Sequence, residues 1–417
     1  MSRSDDDLLA TVRAALGPEP PETLGIALSG GGDSVALLHL LSRCFAGSAT
    51  RLFAATVDHG LRPEAAEEAR EAGRLCEALG IPHDILRWQG WDGQGNLQDH
   101  ARQARYRLLI DWAGGRGIGA LALGHTADDQ AETLLMRLGR AAGPAGLRGM
   151  AGQSLRDGVL LLRPLLALSR ADLRAYLTRQ GLGWVEDPSN QDDHYTRVRA
   201  RAALAGLAPL GITAEGLCDV AANMARADQA LGWATFQAAG DLAQIRAGAV
   251  AFETRGFTLL PEEIARRLIT GAIGWIGRPT YPPRRAPVER LLSDLRQGGA
   301  GALCGCRVMI RRGAVWVCRE YNAVRGLRGA PDALWDGRWR LEGPAPAGAE
   351  LAALGPKGLA LCPDRRDTGL PSAVLEAAPA LWLDGRLIAA PLAEVSSERR
   401  LHLVDRGAGF RAGLLSH

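Results

Sequence analysis

Lysine is nearly absent from this chain. Of its 49 Lys and Arg residues only Lys357 is a lysine, and the formal net charge is +3. A Walker-type phosphate loop needs a lysine next to Ser or Thr in a glycine-rich turn, whereas Lys357 stands in Gly-Pro-Lys-Gly-Leu. A Schiff-base mechanism would depend on this one residue. The scarcity therefore excludes a Walker loop and leaves arginine as the main source of positive charge.

Paired cysteines and long apolar runs are also missing. The seven cysteines are scattered and contain no CxxC spacing, which disfavours a zinc or iron–sulfur site and favours reduced thiols. We interpret the one close pair, Cys304 and Cys306, as strand residues on one face of a hairpin. No apolar run approaches the roughly 18 residues of a transmembrane helix, and the N-terminus lacks a secretory signal pattern. We therefore expect a cytoplasmic protein without membrane association.

The first part of the chain alternates short apolar runs with helical patterns. Apolar runs at 24–28, 51–57, 81–86 and 118–123 predict buried strands, and the segments between them carry apolar residues at helical spacing. This alternation predicts an α/β fold with a Rossmann-like parallel sheet, which binds ligands beyond the carboxyl ends of its strands. A further helix is predicted over 168–180, with Ser169 as its N-cap.

The pattern changes after Pro209 to long helical segments, followed by a hairpin with its turn near Arg312 and Gly313. A Gly/Pro/Ala-rich linker near 326–333 then leads to short strands. We predict three domains: a catalytic ATP-binding domain (1–208), a mainly helical middle domain with a hairpin (209–328), and a small, β-rich α+β domain (329–417).

Positive charge is concentrated in the middle domain. From Arg255 to Arg328 the chain carries fourteen arginines against five acids. Such an asymmetry indicates a polyanionic partner for this region. A solvated, charged surface is the alternative.

A glycine-rich loop follows the first predicted strand and opens a helix. It consists of Ser29, Gly30, Gly31, Gly32, Asp33 and Ser34. Consecutive glycines let backbone N–H groups approach an anion closely, and a helix N-terminus adds favourable partial charge. Asp33 would repel that anion unless a divalent cation bridged them, which argues for Mg²⁺ on Asp33. The alternative is an ordinary strand-to-helix turn with Asp33 as the N-cap.

Two further segments contain candidate binding residues. Asp58 closes the second strand, where a ligand crevice is expected. Arg102 and Arg105 share one face of a predicted helix, a spacing suited to an anionic ligand. Turn chemistry and a solvated helix face are the respective alternatives.

An acidic string follows the fourth strand, level with the glycine-rich loop. It runs from Gly124 to Thr133 and contains His125, Asp128, Asp129 and Glu132. Thr126 and Asp129 also fit a capping box, so helix capping is the alternative to a binding site. A later helix carries Arg197, Arg199 and Arg201, with Arg197 and Arg201 on one face.

These strings resemble a known family. The loop SGGGDS is similar to that of the PP-loop ATP pyrophosphatases, which cut ATP between the α- and β-phosphates. Together with VDHGLRPE, NLQDHARQARY, GHTADDQAETLLMRL and EDPSN, it resembles the tRNA(Ile)-lysidine synthetases over about residues 22–205. The resemblance continues through GALCGCRVMIRRGAVWVCRE and, more loosely, APALWLDGRLIAAP. One departure is Val198, where the family commonly has asparagine between two arginines.

The resemblance implies a reaction and its participants. With ATP and Mg²⁺, wobble cytidine 34 of an isoleucine tRNA with a CAU anticodon is activated at C2 by adenylylation. L-lysine then displaces AMP to give lysidine. Pyrophosphate would be held by the loop of residues 29–34, with Asp33 on the metal. Asp58 and Arg102 would bind ATP, and Arg102 or Arg105 would stabilise the α-phosphate.

The resemblance also implies roles for the acidic string. We predict Asp33, Arg105, His125 and Asp129 as catalytic residues, with Asp129 favoured for binding lysine. Asp128, Glu132, Arg197, Arg199 and Arg201 are predicted to bind substrate.

Two rival hypotheses remain. A PP-loop tRNA thiolation enzyme would share the loop, but many such enzymes use CxxC cysteines, which this chain lacks. A non-catalytic RNA-binding protein is disfavoured by the intact Asp33 and the complete acidic string. For the oligomeric state we carry a homodimer as a hypothesis.

Overall fold

The structure, a computed structural model, describes residues 3–60, 65–89, 97–186, 196–394, 398–404 and 409–415. The chain divides into two compact units, Met1–Asp228 and Gln229–His417. The predicted Glu-Asp-Pro-Ser-Asn string begins at Glu186, which is described, and its residues 187–190 lie outside the described residues.

The first unit alternates strands and helices. Its helices are α1 (Asp5–Leu16), α2 (Gly32–Cys44), α3 (Ala65–Ala78), α4 (Leu97–Gly115), α5 (Ala127–Leu138), α6 (Pro144–Leu147), α7 (Arg170–Arg179) and α8 (Thr196–Leu207). Its strands are β1 (Thr23–Ala27), β2 (Arg51–Asp58), β3 (His83–Arg87), β4 (Ala120–Ala122), β5 (Gln153–Arg156) and β6 (Val159–Leu162). Helix α9 (Ala214–Leu242) begins in this unit and ends in the second.

A six-stranded sheet organises the first unit, with strand order β3-β2-β1-β4-β6-β5. All neighbouring pairs are parallel except β5 with β6. The predicted α/β fold and its four strands are confirmed. The β5–β6 hairpin was not predicted; its turn is formed by Asp157 and Gly158, both at positive φ.

Apolar layers cover both faces of this sheet. One buried cluster joins β1 to α1, α2 and α7, and includes Leu8, Leu37 and Leu173. The other packs α4 on the opposite face through Leu109, Trp112 and neighbours. Since both faces are buried, the central strands β1, β4 and β6 are apolar at nearly every position, whereas the edge strands β3 and β5 carry polar residues. The carboxyl ends of β1 and β4 therefore emerge side by side, where the predicted site residues follow.

The second unit is built from antiparallel sheets and short helices. Its helices are α10 (Thr254–Leu259), α11 (Glu262–Gly277), α12 (Arg285–Arg296), α13 (Tyr321–Val324), α14 (Gly355–Ala360), α15 (Ser372–Glu376) and α16 (Phe410–Gly413). Its strands are β7 (Ala243–Arg246), β8 (Ala249–Glu253), β9 (Ala300–Leu303), β10 (Cys306–Arg311), β11 (Ala314–Arg319), β12 (Arg328–Gly329), β13 (Trp339–Glu342), β14 (Glu350–Ala353), β15 (Pro379–Leu383), β16 (Arg386–Ala389) and β17 (Arg400–Leu403). They form sheets ordered β7-β8-β11-β10-β9, β12-β14-β15-β16 and β13-β17.

The predicted hairpin is β10–β11, and its turn residues Arg312 and Gly313 both have positive φ. The interpretation of Cys304 and Cys306 was wrong. Cys304 lies with Gly305 in the turn between β9 and β10, at φ 51°, while Cys306 begins β10 and is buried. Two consecutive residues at positive φ form the tight turn that joins antiparallel strands.

The two-unit division differs from the three predicted segments. Residues 209–228 belong to the first unit because Leu217 and Ala221 of α9 pack on Ala131 and Leu134 of α5. The predicted second and third segments share one unit because a single buried cluster contains Trp316 and Cys318 as well as residues between 354 and 393. The division into three domains stays a prediction.

Among the described residues, no single helix has the length and apolarity needed to cross a membrane. The stretches Thr196–Leu210 and Ala214–Leu242 pass that test only as a pair, and they are bent by 99° relative to each other.

Candidate active site

The glycine-rich loop connects β1 directly to α2. Gly31 is the N-cap residue, and no side chain caps the helix. Asp33 lies inside the first turn, so the alternative that Asp33 is the N-cap was wrong. The first N–H groups of a helix have no partner within it and, with the helix dipole, favour an anion. The structure thus leaves this turn open to a phosphate.

Hydroxyl groups fix the shape of the loop. Ser34 Oγ donates to the carbonyl of Gly31 at 2.9 Å and accepts from the backbone N–H of Ser29 at 3.1 Å. Ser29 Oγ lies 3.1 Å from Ser34 Oγ. Gly30 has φ +81°, a conformation that favours glycine. The loop is therefore held in place before any ligand binds.

Close contacts explain two other glycines. A Cβ on Gly32 would lie 3.3 Å from the ring of Trp184, and one on Gly124 would lie 3.3 Å from the backbone of Asp33 and Ser34. Val185 N donates to the carbonyl of Gly30 at 3.0 Å. The glycine loop, the end of β4 and the Trp184 segment thus meet at one place.

Helix α5 begins at this place with a complete capping box. Asp129 Oδ2 accepts from the Thr126 N–H at 2.9 Å, and the Thr126 hydroxyl accepts from the Asp129 N–H at 3.4 Å. The predicted capping role is present, and it uses only one oxygen of Asp129. The other oxygen is available for a second partner.

Arg170 supplies that partner and links the predicted acids. Its guanidinium donates to Asp129 Oδ1 at 2.5 Å, to Glu132 Oε1 at 2.8 Å and to Asp33 Oδ2 at 3.4 Å. Its backbone N–H donates to Asp128 Oδ2 at 2.8 Å. The arginine, first residue of α7, therefore gathers four predicted site residues from α2 and α5.

Burial strengthens these interactions. The Glu132 side chain is 1% exposed, that of Asp129 10% and that of Arg170 19%. Burial acts to raise the pKa of Asp129, but Arg170 and the Thr126 N–H outweigh it, so this pKa lies below its usual range. Burial also acts against the charged form of Arg170, yet the neighbouring acids raise its pKa. Asp129 and Arg170 are thus a charged pair at neutral pH.

Asp33 is the exception among the acids. Burial raises its pKa to about 6; Arg170 opposes this shift, and the charges of Asp129 and Asp128 add to it. Burial is therefore the main cost of ionising Asp33, and Arg170 offsets that cost only in part. An additional cation would be favoured here.

The described residues contain no group of three acids, histidines or cysteines arranged as metal ligands. Mg²⁺ in nucleotide sites needs only one or two carboxylates because phosphates and water complete its shell. A partly buried carboxylate next to the phosphate loop fits this donor set, and Asp33 would be the protein ligand of such an ion.

His125 and Arg105 lie on the side of the site where arginine charges are concentrated. Burial lowers the pKa of His125 to about 3, and the charges of Arg163, Arg105 and Arg102 act in the same direction against the opposing charge of Asp129. Burial and the charges of Arg102 and Arg197 likewise lower the pKa of Arg105. His125 is therefore a neutral imidazole at pH 7. Its Nδ1 is buried and has no hydrogen-bond partner among the described residues.

The remaining predicted residues are placed less centrally. Arg201 Nε donates to Glu132 Oε1 at 3.0 Å and so joins the cluster. Arg199 is exposed and donates to Thr196 Oγ1 at 3.4 Å, a contact within its own helix. Arg102 lies over the Tyr106 ring. Asp58 Oδ1 accepts from the Gly60 N–H at 2.9 Å, as a turn residue does. No described contact of Arg199, Arg102 or Asp58 tests its predicted role.

Arg170 was not among the predicted site residues. Arg170 stands in a stretch interpreted only as a helix start, and that helix, with Ser169 as N-cap, is confirmed. Its partners lie 137, 41 and 38 residues away in sequence, so no local spacing marks it.

Comparison with known proteins agrees with this arrangement. A family model described as a PP-loop domain matches residues 5–207. The tRNA(Ile)-lysidine synthase of Ruegeria pomeroyi is 53% identical over 411 residues, covering 99% of this chain and 98% of that protein. This chain belongs to the tRNA(Ile)-lysidine synthase family. The enzyme of the same name from Bradyrhizobium diazoefficiens is 44% identical over 289 residues, covering 67% of this chain and 80% of that protein.

Membership in the tRNA(Ile)-lysidine synthase family makes the chain an ATP-using ligase that forms a carbon–nitrogen bond. It also favours this function over the thiolation alternative. Within the PP-loop domain, Asp33 follows β1, and His125, Asp128, Asp129 and Glu132 follow β4. These predicted site residues therefore lie at the carboxyl ends of two neighbouring parallel strands.

Proposed function

We propose that this chain converts wobble cytidine 34 of an isoleucine tRNA with a CAU anticodon into lysidine, using ATP and L-lysine. The observation that carries the proposal is the Arg170-linked cluster. It brings Asp33 of the phosphate loop together with Asp129 and Glu132, acids suited to a cationic amino acid. A phosphate site and an amine site therefore adjoin.

In the first step, cytidine O2 attacks the α-phosphorus of ATP and pyrophosphate leaves. The N–H groups at the start of α2 and the Ser29 and Ser34 hydroxyls hold the departing pyrophosphate. Arg102 or Arg105 stabilises charge on the α-phosphate. Mg²⁺, when bound to Asp33, offsets the charge of the phosphates. The product is a tRNA whose O2 has become a good leaving group.

In the second step, the uncharged ε-amine of lysine attacks C2 and AMP leaves. Lysine must be located by its other charged groups. Both oxygens of Asp129 are engaged, one by the capping box and one by Arg170. Glu132 Oε2, in contrast, is buried without a hydrogen-bond partner among the described residues. We therefore assign the lysine ammonium contact to Glu132 as well as to Asp129, which the family resemblance favours.

The neutral state of His125 limits its role. A base works best when its pKa is near the operating pH, and a pKa of about 3 makes His125 a weak proton acceptor at pH 7. We assign it a hydrogen-bonding role through Nδ1. Arg197 and Arg199 are assigned to the tRNA, next to Arg201 on α8.

An assay of products tests this proposal. Purified chain, ATP, Mg²⁺, lysine and an isoleucine tRNA transcript should release pyrophosphate over many turnovers, and the tRNA should gain the mass of one lysine residue. Omitting tRNA, or replacing cytidine 34 by uridine, should abolish both signals. Omitting lysine should abolish the mass gain and repeated turnover, because only the first step can then proceed. Turnover of ATP that needs neither lysine nor tRNA would contradict the proposal, and incorporation of sulfur would favour thiolation.

The arginine-rich segment is our candidate for binding tRNA phosphates. Arg284, Arg290 and Arg296, at or within α12, are exposed and have no ion pair within the described part of the chain. Replacing all three by alanine should weaken tRNA binding. It should also reduce the slope of log K against log salt by about 0.7–0.9 for each phosphate that is no longer neutralised.

Titrations of tRNA at several salt concentrations measure that slope. Arg51, Arg70 and Arg74 are exposed arginines of the first unit and provide a control triple with the same charge change. An equal effect of both triples would contradict the assignment to α12.

A further inference from the structure

Arg170 has a fixed place in the fold. Ser169 Oγ accepts from the Asp172 N–H at 3.1 Å and so caps α7 immediately before Arg170. Leu173, Tyr176 and Leu177 of the same helix are fully buried in the cluster that also contains Leu37 and Leu41 of α2. The Leu168 carbonyl accepts from the Ala127 N–H at 2.9 Å, which ties the start of α7 to the start of α5. The guanidinium is thus anchored to both helices that carry the acids.

Each side-chain nitrogen of Arg170 serves a different carboxylate: Nε contacts Asp33, Nη1 contacts Glu132 and Nη2 contacts Asp129. The planar fork of arginine directs its N–H groups at several carboxylates in a fixed geometry, which the compact ammonium of lysine reproduces less well. Three of the five N–H groups of Arg170 are thus engaged by acids, so the guanidinium is held mainly by contacts within the protein.

The acids need such a cation. Asp33, Asp128, Asp129 and Glu132 converge on one partly buried spot, and buried carboxylates without a partner are strongly unfavourable. Arg201 offsets charge only at Glu132 Oε1, and its side chain is 44% exposed. Without Arg170, the carboxylates of Asp33 and Asp129 would repel each other and lose their orientation.

We propose that Arg170 is a positioning residue that holds the phosphate-loop acid Asp33 and the amine-binding acids Asp129 and Glu132 in one geometry, so that ATP and lysine bind beside each other. This inference rests on the proposed function. It adds that the two half-sites are coupled through a side chain that contacts neither substrate.

Variants of Arg170 test the coupling. Arg170→Met keeps the length of the side chain and removes the charge and the fork; we expect kcat/KM for lysine to fall at least 100-fold. KM should rise for lysine and for ATP together, because both half-sites lose their common anchor. The tRNA Kd should change less than threefold. Arg170→Lys retains a positive charge, and we expect its kcat/KM for lysine to be about tenfold higher than that of Arg170→Met.

A rescue experiment separates positioning from general structural support. Adding methylguanidinium to Arg170→Ala should restore part of the activity, because the ion can occupy the space between the carboxylates. The same addition should not rescue Asp33→Ala. Arg174→Met is the matched control: Arg174 lies on the same helix, is 56% exposed and pairs with exposed Glu186 at 3.5 Å. We expect it to retain wild-type kinetics.

Several outcomes would overturn the inference. One is Arg170→Met with kinetics within threefold of wild type. Another is a rise of KM for ATP alone, which would assign Arg170 to phosphate binding. A third is a combined result: Arg170→Met does not fold, Arg170→Lys folds but is inactive, and methylguanidinium does not restore activity to Arg170→Ala. If the wild-type chain makes no lysidine, the proposed function fails first, and the two failures are therefore distinguishable.

Discussion

Asp33→Ala is expected to lower pyrophosphate release by about 10³-fold or more while tRNA affinity stays within a few-fold. The side chain lies in the first turn of α2, where the phosphates are proposed to bind, and burial disfavours its charged form unless a further cation is present. Removing the carboxylate would remove the proposed protein ligand for Mg²⁺, and charge stabilisation of this kind is worth about 10²–10³ per group or more. The arginine-rich segment of the second unit is untouched.

The measurements are steady-state pyrophosphate release and tRNA binding by filter retention. Asp6→Ala is the matched control, because Asp6 occupies the same position in the first turn of α1 and is exposed. We expect no change in turnover for this variant. Collapse of tRNA binding together with turnover in Asp33→Ala would show that the assignment of ATP to the first unit and tRNA phosphates to the second is wrong.

Glu132→Gln is expected to raise KM for lysine about 100-fold and leave KM for ATP within threefold. The amide keeps the size of the side chain and can still accept from Arg170 and Arg201 through its oxygen, so the fold is retained. It replaces the buried, unpartnered Oε2 by an NH₂ group that cannot bind an ammonium. Removal of a charge-assisted hydrogen bond from a buried site costs about 1.5–3 kcal/mol, which corresponds to a 10- to 150-fold change in affinity.

Initial rates at varied lysine and at varied ATP separate the two constants. Glu71→Gln serves as the control, since Glu71 is an exposed acid of α3 that pairs with Arg74. Equal increases of KM for lysine and ATP in Glu132→Gln would argue against a specific lysine contact and would match the pattern expected for Arg170 instead.

The sequence predicted the structure best where one short segment needs the same kind of residue at successive positions. Strands β1 and β4 are buried and apolar on both faces, and the loop of residues 29–34 combines glycines, hydroxyls and one acid in a single string. Local patterns of this kind fix local conformation. The same holds for Thr126 and Asp129, whose spacing indicates the capping box that α5 has.

The sequence was least informative about contacts between distant residues. Nothing in the stretch around Arg170 indicates that its guanidinium will meet Asp33, 137 residues earlier. The neutral state of His125 was equally unreadable, because it follows from burial and from arginines on other elements. Cys304 was misplaced because one residue at positive φ moves it from a strand into a turn. Such features depend on packing, which a one-dimensional pattern does not contain.

The two oxygens of Asp129 give this residue two separate duties. One oxygen caps the N-terminus of helix α5, and the other accepts a hydrogen bond from Arg170 in the site. An attempt to redesign the enzyme for a different amine by changing Asp129 would therefore disturb the scaffold along with the selectivity. Glu132 carries no capping duty, and one of its oxygens is uncommitted. If Glu132 contacts lysine as proposed, a change there would alter the substrate range without removing the cap of α5.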